Sequence, residues 1–321
     1  NAFPSNYTNA NINLNTASTV TYSANAAQNV SGTPTYGNLN LSTGNTASTK
    51  TLAAATVING NLNLTGGTAV VTLQLGANNI TVNGTTNINA NATLNDNNTT
   101  GANIFAGLVT ISNTGTFSNT NNPSYEFRGG IANDGTFTKS GTGTLTFSTN
   151  AQNISGSSAL TISAGDFIIA DPASLNVSNS INFSGGNFVN NSNTEPAFAA
   201  TSGTFTFVPN AAQNINGTGT GSVSFYNLSF TGRNTKTTNI DFSVLNNLTV
   251  TTAALSFGTT AKTINVGGDL SGNGTINMTG AGLAHVLNLG GANNAIATFN
   301  TTAGSGSTVN YNRAGDQQVF A

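Results

Sequence analysis

The chain has 321 residues, no cysteine and a net charge of −2, and only 5% of its residues are charged, against about 25% in an average globular domain. A disulfide framework is excluded, and the seven basic residues (Lys50, Arg128, Lys139, Arg233, Lys236, Lys262 and Arg313) are too scattered for a phosphate-binding surface. No run of about twenty apolar residues offers a membrane-spanning helix, and 18 Phe among many Val and Ile argue against disorder.

Period-2 alternation, the signature of half-buried strands, runs along the chain. It appears in "NINLN" (11–15), "TVTY" (19–22), "NLNLS" (38–42), "NLNLT" (61–65), "VTLQL" (71–75) and "ITVNG" (80–84). It continues in "TLTF" (144–147), "TFTF" (204–207), "SVSF" (222–225) and "TINM" (275–278). Asn-Gly and Gly-Gly pairs punctuate these segments and suit tight corners, because both residues tolerate positive φ. No stretch shows helical periodicity, so the chain reads as all-β.

Repetition decides the architecture. One phrase, [G/S]-T-φ-x-[F/Y] followed by a polar stretch and Gln, recurs at Val20/Tyr22/Gln28, Leu145/Phe147/Gln152, Phe205/Phe207/Gln213 and Val309/Tyr311/Gln317. A second opens on Tyr, in "YGNLNLS" (36–42) and "YNLSFT" (226–231). A third opens on Lys-Thr at 50, 236 and 262. The unequal spacing of the first phrase disfavours a propeller and suits a solenoid with coils of variable length. The expected fold is one continuous parallel β-helix, or β-solenoid, over residues 1–321 with irregular coils. An array of Ig-like β-sandwiches is the alternative. Stacked coils place like residues over like, which favours apolar columns and Asn ladders and disfavours charge.

"GGIANDGTFTKSGTGTLTF" (129–147), "GTGTLTFSTNAQNISG" (141–156) and "KTINVGGDLSGNGTINMTG" (262–280) resemble the β-strand repeats of large surface proteins that Bacteroidetes export through the type IX system, adhesins among them. The resemblance covers most of the chain with degenerate motifs. It implies an extracellular, cell-surface location, a filamentous form and an adhesive or scaffolding role. No C-terminal sorting domain follows, and the chain opens at Asn1 without Met. It therefore reads as a mature or excised piece of an exported product.

The last phrase lacks its second half. Joined end to start, Gln317 would be followed by Tyr7 and the strand holding Ile12 and Leu14. The expected junction is Tyr7, Ile12, Leu14, Val309, Tyr311, Gln317, Val319 and Phe320, with the chain itself as partner in a head-to-tail homopolymer or tandem repeat. Open parallel edges attract strand addition. Glycans or matrix are a second class of partner.

No catalytic residue, metal ligand or cofactor-binding motif is expected. The nine acids include no i, i+2 pair; Asp166 and Asp171 lie closest and read as turn residues. His285 is the only histidine, and Glu126 with Arg128 reads as a surface ion pair. The expected function is a structural unit of a bacterial surface filament. A non-polymerising adhesin stalk comes second, and a β-helix carbohydrate-active enzyme third.

Overall fold

The computed structural model describes residues 12 and 14–320. It is all strand and turn, and it divides into two compact units, Asn1–Gly165 and Asp166–Ala321.

Each unit is a three-sided parallel β-solenoid. In the first unit one sheet runs from Thr19–Tyr22 through Asn38–Ser42 and Leu62–Thr65 to Ala151–Ser155. A second runs from Gln28–Val30 through Ser48–Leu52 to Leu160–Ile162, and a third from Thr56–Ile58 to Leu145–Phe147. The chain visits the three in rotation, so each strand pairs in parallel with the one a full coil later, as Leu39 does with Leu62 and Asn63 with Asn87. The second unit repeats the plan, with sheets ending at Thr308–Tyr311, Leu270–Ser271 and Thr298–Thr301. The antiparallel sandwiches considered from sequence do not occur.

Alternation puts every second side chain inside. In the first unit Val20, Leu39, Leu62, Thr86, Val109, Ile131 and Ile154 form one inward column. Tyr22, Leu41, Leu64, Ile88 and Ile111 form its neighbour. In the second unit phenylalanine fills much of the interior. Phe167 stacks on Phe188 at 5.5 Å and 9°, and Phe207 on Phe230 at 5.1 Å and 26°.

Outward positions carry ladders. Asn87 donates Nδ2 to Asn63 Oδ1 at 2.6 Å, and Asn63 to Asn40 at 2.9 Å. In the second unit Asn310 donates to Asn288 at 2.8 Å, and Asn288 to Asn265 at 2.7 Å. These rungs lie on sheet faces as well as at turns.

The repeated Gln phrase is a corner. In the first unit Tyr22 to Gln28 crosses from the first sheet to the second, while Phe147 to Gln152 crosses from the third to the first. In the second unit Phe207 to Gln213 crosses from the second sheet to the third, while Tyr311 to Gln317 leaves the first. A corner motif can sit at any vertex of a triangular coil, so its spacing need not equal the coil length. Coils themselves vary modestly, from the 19 residues between Thr19 and Asn38 to the 27 between Phe188 and Ile215.

Thr86 interrupts its aliphatic column: it is fully buried and its hydroxyl has no partner. Burying an unmatched hydroxyl costs about 1–3 kcal/mol, and Val has the same shape. Thr86→Val is expected to stabilise the chain by about 1–2 kcal/mol, read as a higher urea midpoint at unchanged slope.

Candidate functional site

Of the residues expected at a junction, Val309, Tyr311, Gln317, Val319 and Phe320 lie in the last described coil of the second unit, and Ile12 and Leu14 precede the first described strand of the first. Strand Thr308–Tyr311 pairs on one side with Val286–Leu289, placing Leu287 beside Val309 and Leu289 beside Tyr311. No described strand pairs with its other edge. Leu287 and Leu289 are fully buried, whereas Val309 and Tyr311 in the same columns are only half-buried. Phe320 packs its ring on Phe299 at 5.2 Å and on Tyr311 at 6.0 Å, and it too is half-buried. Val319 is 63% exposed. The layer is built like the core below it, and no described coil covers it.

In the first unit, among the described residues, Thr19–Tyr22 pairs only with Asn38–Ser42. Val20 is half-buried beside the fully buried Leu39. The Tyr22 hydroxyl lies 3.1 Å from that of Tyr36 and accepts the Ser31 N–H at 3.2 Å. Ile12 and Leu14 are half-buried but stand outside any strand. A strand needs a paired edge, and no described residue supplies one on that side. Tyr7 lies outside the described residues.

Gln317 sits in a corner whose internal copies are complete. Arg313 donates its N–H to Gln317 Oε1 at 3.2 Å, as Ala24 does to Gln28 at 3.0 Å. Gln317 Nε2 donates to the Leu289 carbonyl, 28 residues back, at 2.7 Å, and Gln213 Nε2 donates to Gly185, also 28 back, at 2.8 Å. In two of the three internal copies a lysine from the next coil stands in register with the glutamine, Lys50 over Gln28 and Lys236 over Gln213; the third, Gln152, instead accepts the Gly130 N–H and donates to the Ser148 carbonyl. Lys50 Nζ donates to Ala24 O at 2.6 Å, Ala26 O at 3.2 Å and Gln28 Oε1 at 2.7 Å. Lys236 Nζ donates to the matching carbonyls of Pro209 at 2.8 Å and Ala211 at 2.6 Å, and to Arg233 O at 3.2 Å. The corresponding carbonyls of the last corner belong to Arg313 and Gly315, and no described strand registers with Gln317.

These buried lysines escaped the reading of the sequence, which treated the basic residues as scattered. The signal lay in spacing: Lys50 follows Gln28, and Lys236 follows Gln213, by one coil. Asp96 escaped it too. It is fully buried and accepts from Asn98 N at 2.9 Å, Asn103 Nδ2 at 2.6 Å and Tyr125 Oη at 2.7 Å. Burial raises its carboxyl above the usual range, and these hydrogen bonds pull the other way.

Several other charged groups have structural employment. Asp166 accepts the Asn187 N–H and Asp171 the Asn193 N–H, each at 2.7 Å, as rungs between successive coils. Glu126 pairs with Arg128 at 2.8 Å. His285 is fully buried, accepts the Lys262 N–H at Nδ1 and meets the Phe257 ring edge-on. Burial lowers its basicity. Among the described residues no three His, Cys, Asp or Glu side chains gather as metal ligands. A shallow recess of about 500 Å³ in the second unit is lined by polar groups, among them Ser222, Asp241, Lys262 and Asn265, and by the apolar Ile240 and Phe242. Searches against protein-family models, curated proteins and solved structures returned no match to this chain.

Two predictions test the corner. Pro209 stands where Ala24 and Arg313 supply an N–H, and it has none; Gln213 Oε1 is accordingly buried without a partner. Pro209→Ala should restore that hydrogen bond and stabilise the chain by about 1 kcal/mol, the bond outweighing the entropy that proline removes from the unfolded chain. Burial brings the Lys236 ammonium down to about 8, from ~10.4 in the unfolded chain. Between those values the unfolded state holds more protons, so this group makes stability rise with pH across that window and contributes no slope below it. Lys236→Met should remove that rise. At pH 7 it should also lower stability by about 1–3 kcal/mol, because three carbonyls lose their donor. Urea titrations from pH 7 to 11 read both effects.

Proposed function

We propose that this chain is a structural subunit, or one tandem segment, of an extracellular bacterial surface filament whose solenoid ends continue one another head-to-tail. The observation that carries this reading is the uncovered core layer at Val309, Tyr311, Phe299 and Phe320. It is matched by an open strand edge at Thr19–Tyr22. Covering such a layer removes apolar surface from water at about 25 cal/mol per Å². A heterologous contact of this kind does not close and so propagates. The surface location rests on the resemblance of the repeats. The role is mechanical, with backbone ladders running from coil to coil and few charges exposed to salt.

A second reading is an adhesin stalk that binds glycans without polymerising. The polar recess around Asp241, Lys262 and Asn265 favours it, because amide, carboxylate and ammonium groups suit sugar hydroxyls.

Electron microscopy of the purified chain in dilute buffer separates the two. Unbranched fibres, unchanged from 0.05 to 1 M NaCl because few charges are available to screen, are expected. Mass spectrometry of the same sample after denaturation should give the mass of one 321-residue chain for stacked subunits, or a multiple of it for a covalent array. Single particles at all concentrations would overturn the filament reading in favour of the stalk.

A further inference from the structure

We infer that the occupant of the open edge at Thr308–Tyr311 is the strand Thr19–Tyr22 of a second copy of this chain, docked with Val20 beside Val309, Thr21 beside Asn310 and Tyr22 beside Tyr311. This rests on the head-to-tail reading and adds to it the strands and the register.

The two strands carry nearly the same residues, "STVTY" at 18–22 and "STVNY" at 307–311. Their free edges are complementary. Among the described residues Thr19–Tyr22 is paired only with a later strand, Asn38–Ser42, and Thr308–Tyr311 only with an earlier one, Val286–Leu289. Bringing the free edges together therefore extends both ladders in the parallel sense used throughout each unit.

Register follows from what each strand points inward. Val20 and Tyr22 continue the columns of Leu39 and Leu41, and Val309 and Tyr311 those of Leu287 and Leu289. Docking in register joins Leu287, Val309, Val20 and Leu39 into one column. It joins Leu289, Tyr311, Tyr22 and Leu41 into the other. A slip of one residue would turn both aromatic and aliphatic side chains outward, and a slip of two would set Val against Tyr.

The outward face agrees. Asn310 spends its Nδ2 on Asn288, and no described residue donates to its Oδ1. Thr21 is the rung beside Asn40 in its own ladder. Placed beside Asn310, its hydroxyl supplies a donor to that open oxygen. The corner agrees as well. Gln28 and Gln317 each stand six residues beyond the tyrosine. Docking sets Gln28 over Gln317 and brings a side-chain N–H towards the carbonyls of Arg313 and Gly315, as Lys50 and Lys236 bring theirs to the internal corners.

The chain has no cysteine, so single thiols report the contact cleanly. Thr21 and Asn310 both face solvent, and adjacent strands lie about 4.8 Å apart, within the Cα range of about 4.4–6.8 Å that a disulfide spans. Thr21→Cys and Asn310→Cys are made in separate full-length copies, mixed, and oxidised or treated with a short bis-maleimide. Covalent dimers are expected from this mixture, at least fivefold above either variant alone and above the offset mixture of Thr21→Cys with Asn312→Cys. The double variant in one chain should give a ladder of higher multimers. Fibres that form without this cross-link, or that cross-link Asn310→Cys to Asn40→Cys instead, would overturn the register while leaving the filament reading intact. The Asn40 result would mean that the last coil displaces the first coil of the next copy. Absence of both fibres and cross-links would overturn the two together.

Discussion

Parallel stacking without a register shift places each residue about 4.8 Å from its counterpart one coil away, and the rest of the structure follows from that constraint. Whatever occupies a position must tolerate its neighbour above and below. Aliphatic side chains do, as in the Leu39–Leu62 column, and so do amides, as in Asn40–Asn63–Asn87. Stacked carboxylates do not. The few acids therefore lie under neutral donors. Asp134 accepts from Ser157, Asp166 from Asn187, Asp171 from Asn193, and Asp269 from Asn293. Hydrogen bonds from the coil above also hold the Asp134 and Glu195 carboxyls below their usual range. Low charge is thus a consequence of the repeat geometry and says little about the environment.

The same constraint explains how Lys50 and Lys236 enter the interior with no described acid paired to either. A buried ammonium facing another charge in the next coil would compound its desolvation. A triangular coil instead offers corner carbonyls that have left the sheet and are free to accept. Lys50 and Lys236 take them, with three oxygens within 3.2 Å of each Nζ. Each lysine satisfies the corner of the coil beneath it. The corner and the lysine are therefore one device split across a coil, and they tie together strands from different faces.

Much of the fold was legible because period-2 alternation survives even in short strands such as Leu62–Thr65 and Val71–Gln74. The solenoid followed from repetition joined to low charge. The repeat unit was not legible. The Gln phrase was the clearest recurring pattern, but it marks vertices, and vertices on different faces recur at intervals unrelated to the coil. The true period lies in register pairs, some of which repeat residue types, as NLNLS (38–42) over NLNLT (61–65) does, while others, such as Gln28 and Lys50, share none and so leave no trace as self-similarity. At the ends, Val309 and Tyr311 were readable because they copy Val20 and Tyr22. Ile12 and Leu14 alternate like strand residues but have no described edge to pair with, and alternation alone cannot supply one.

What separates a cap from an interface is the chemistry of the outermost layer. A solenoid end that stays alone places charge, proline or a covering segment over its last rung. Strand Thr308–Tyr311 itself carries neither charge nor proline. Its inward positions are Val and Tyr, its outward positions Thr and Asn, and its amide and carbonyl groups on the open side are unpaired among the described residues. Phe320 covers the layer only in part, leaving Val309 and Tyr311 half-buried. Thr19–Tyr22 presents the same residues on the opposite edge. On the proposed head-to-tail reading, two such surfaces would satisfy in each other the backbone groups and apolar columns that each leaves open, by the same geometry that builds one coil on another within a unit.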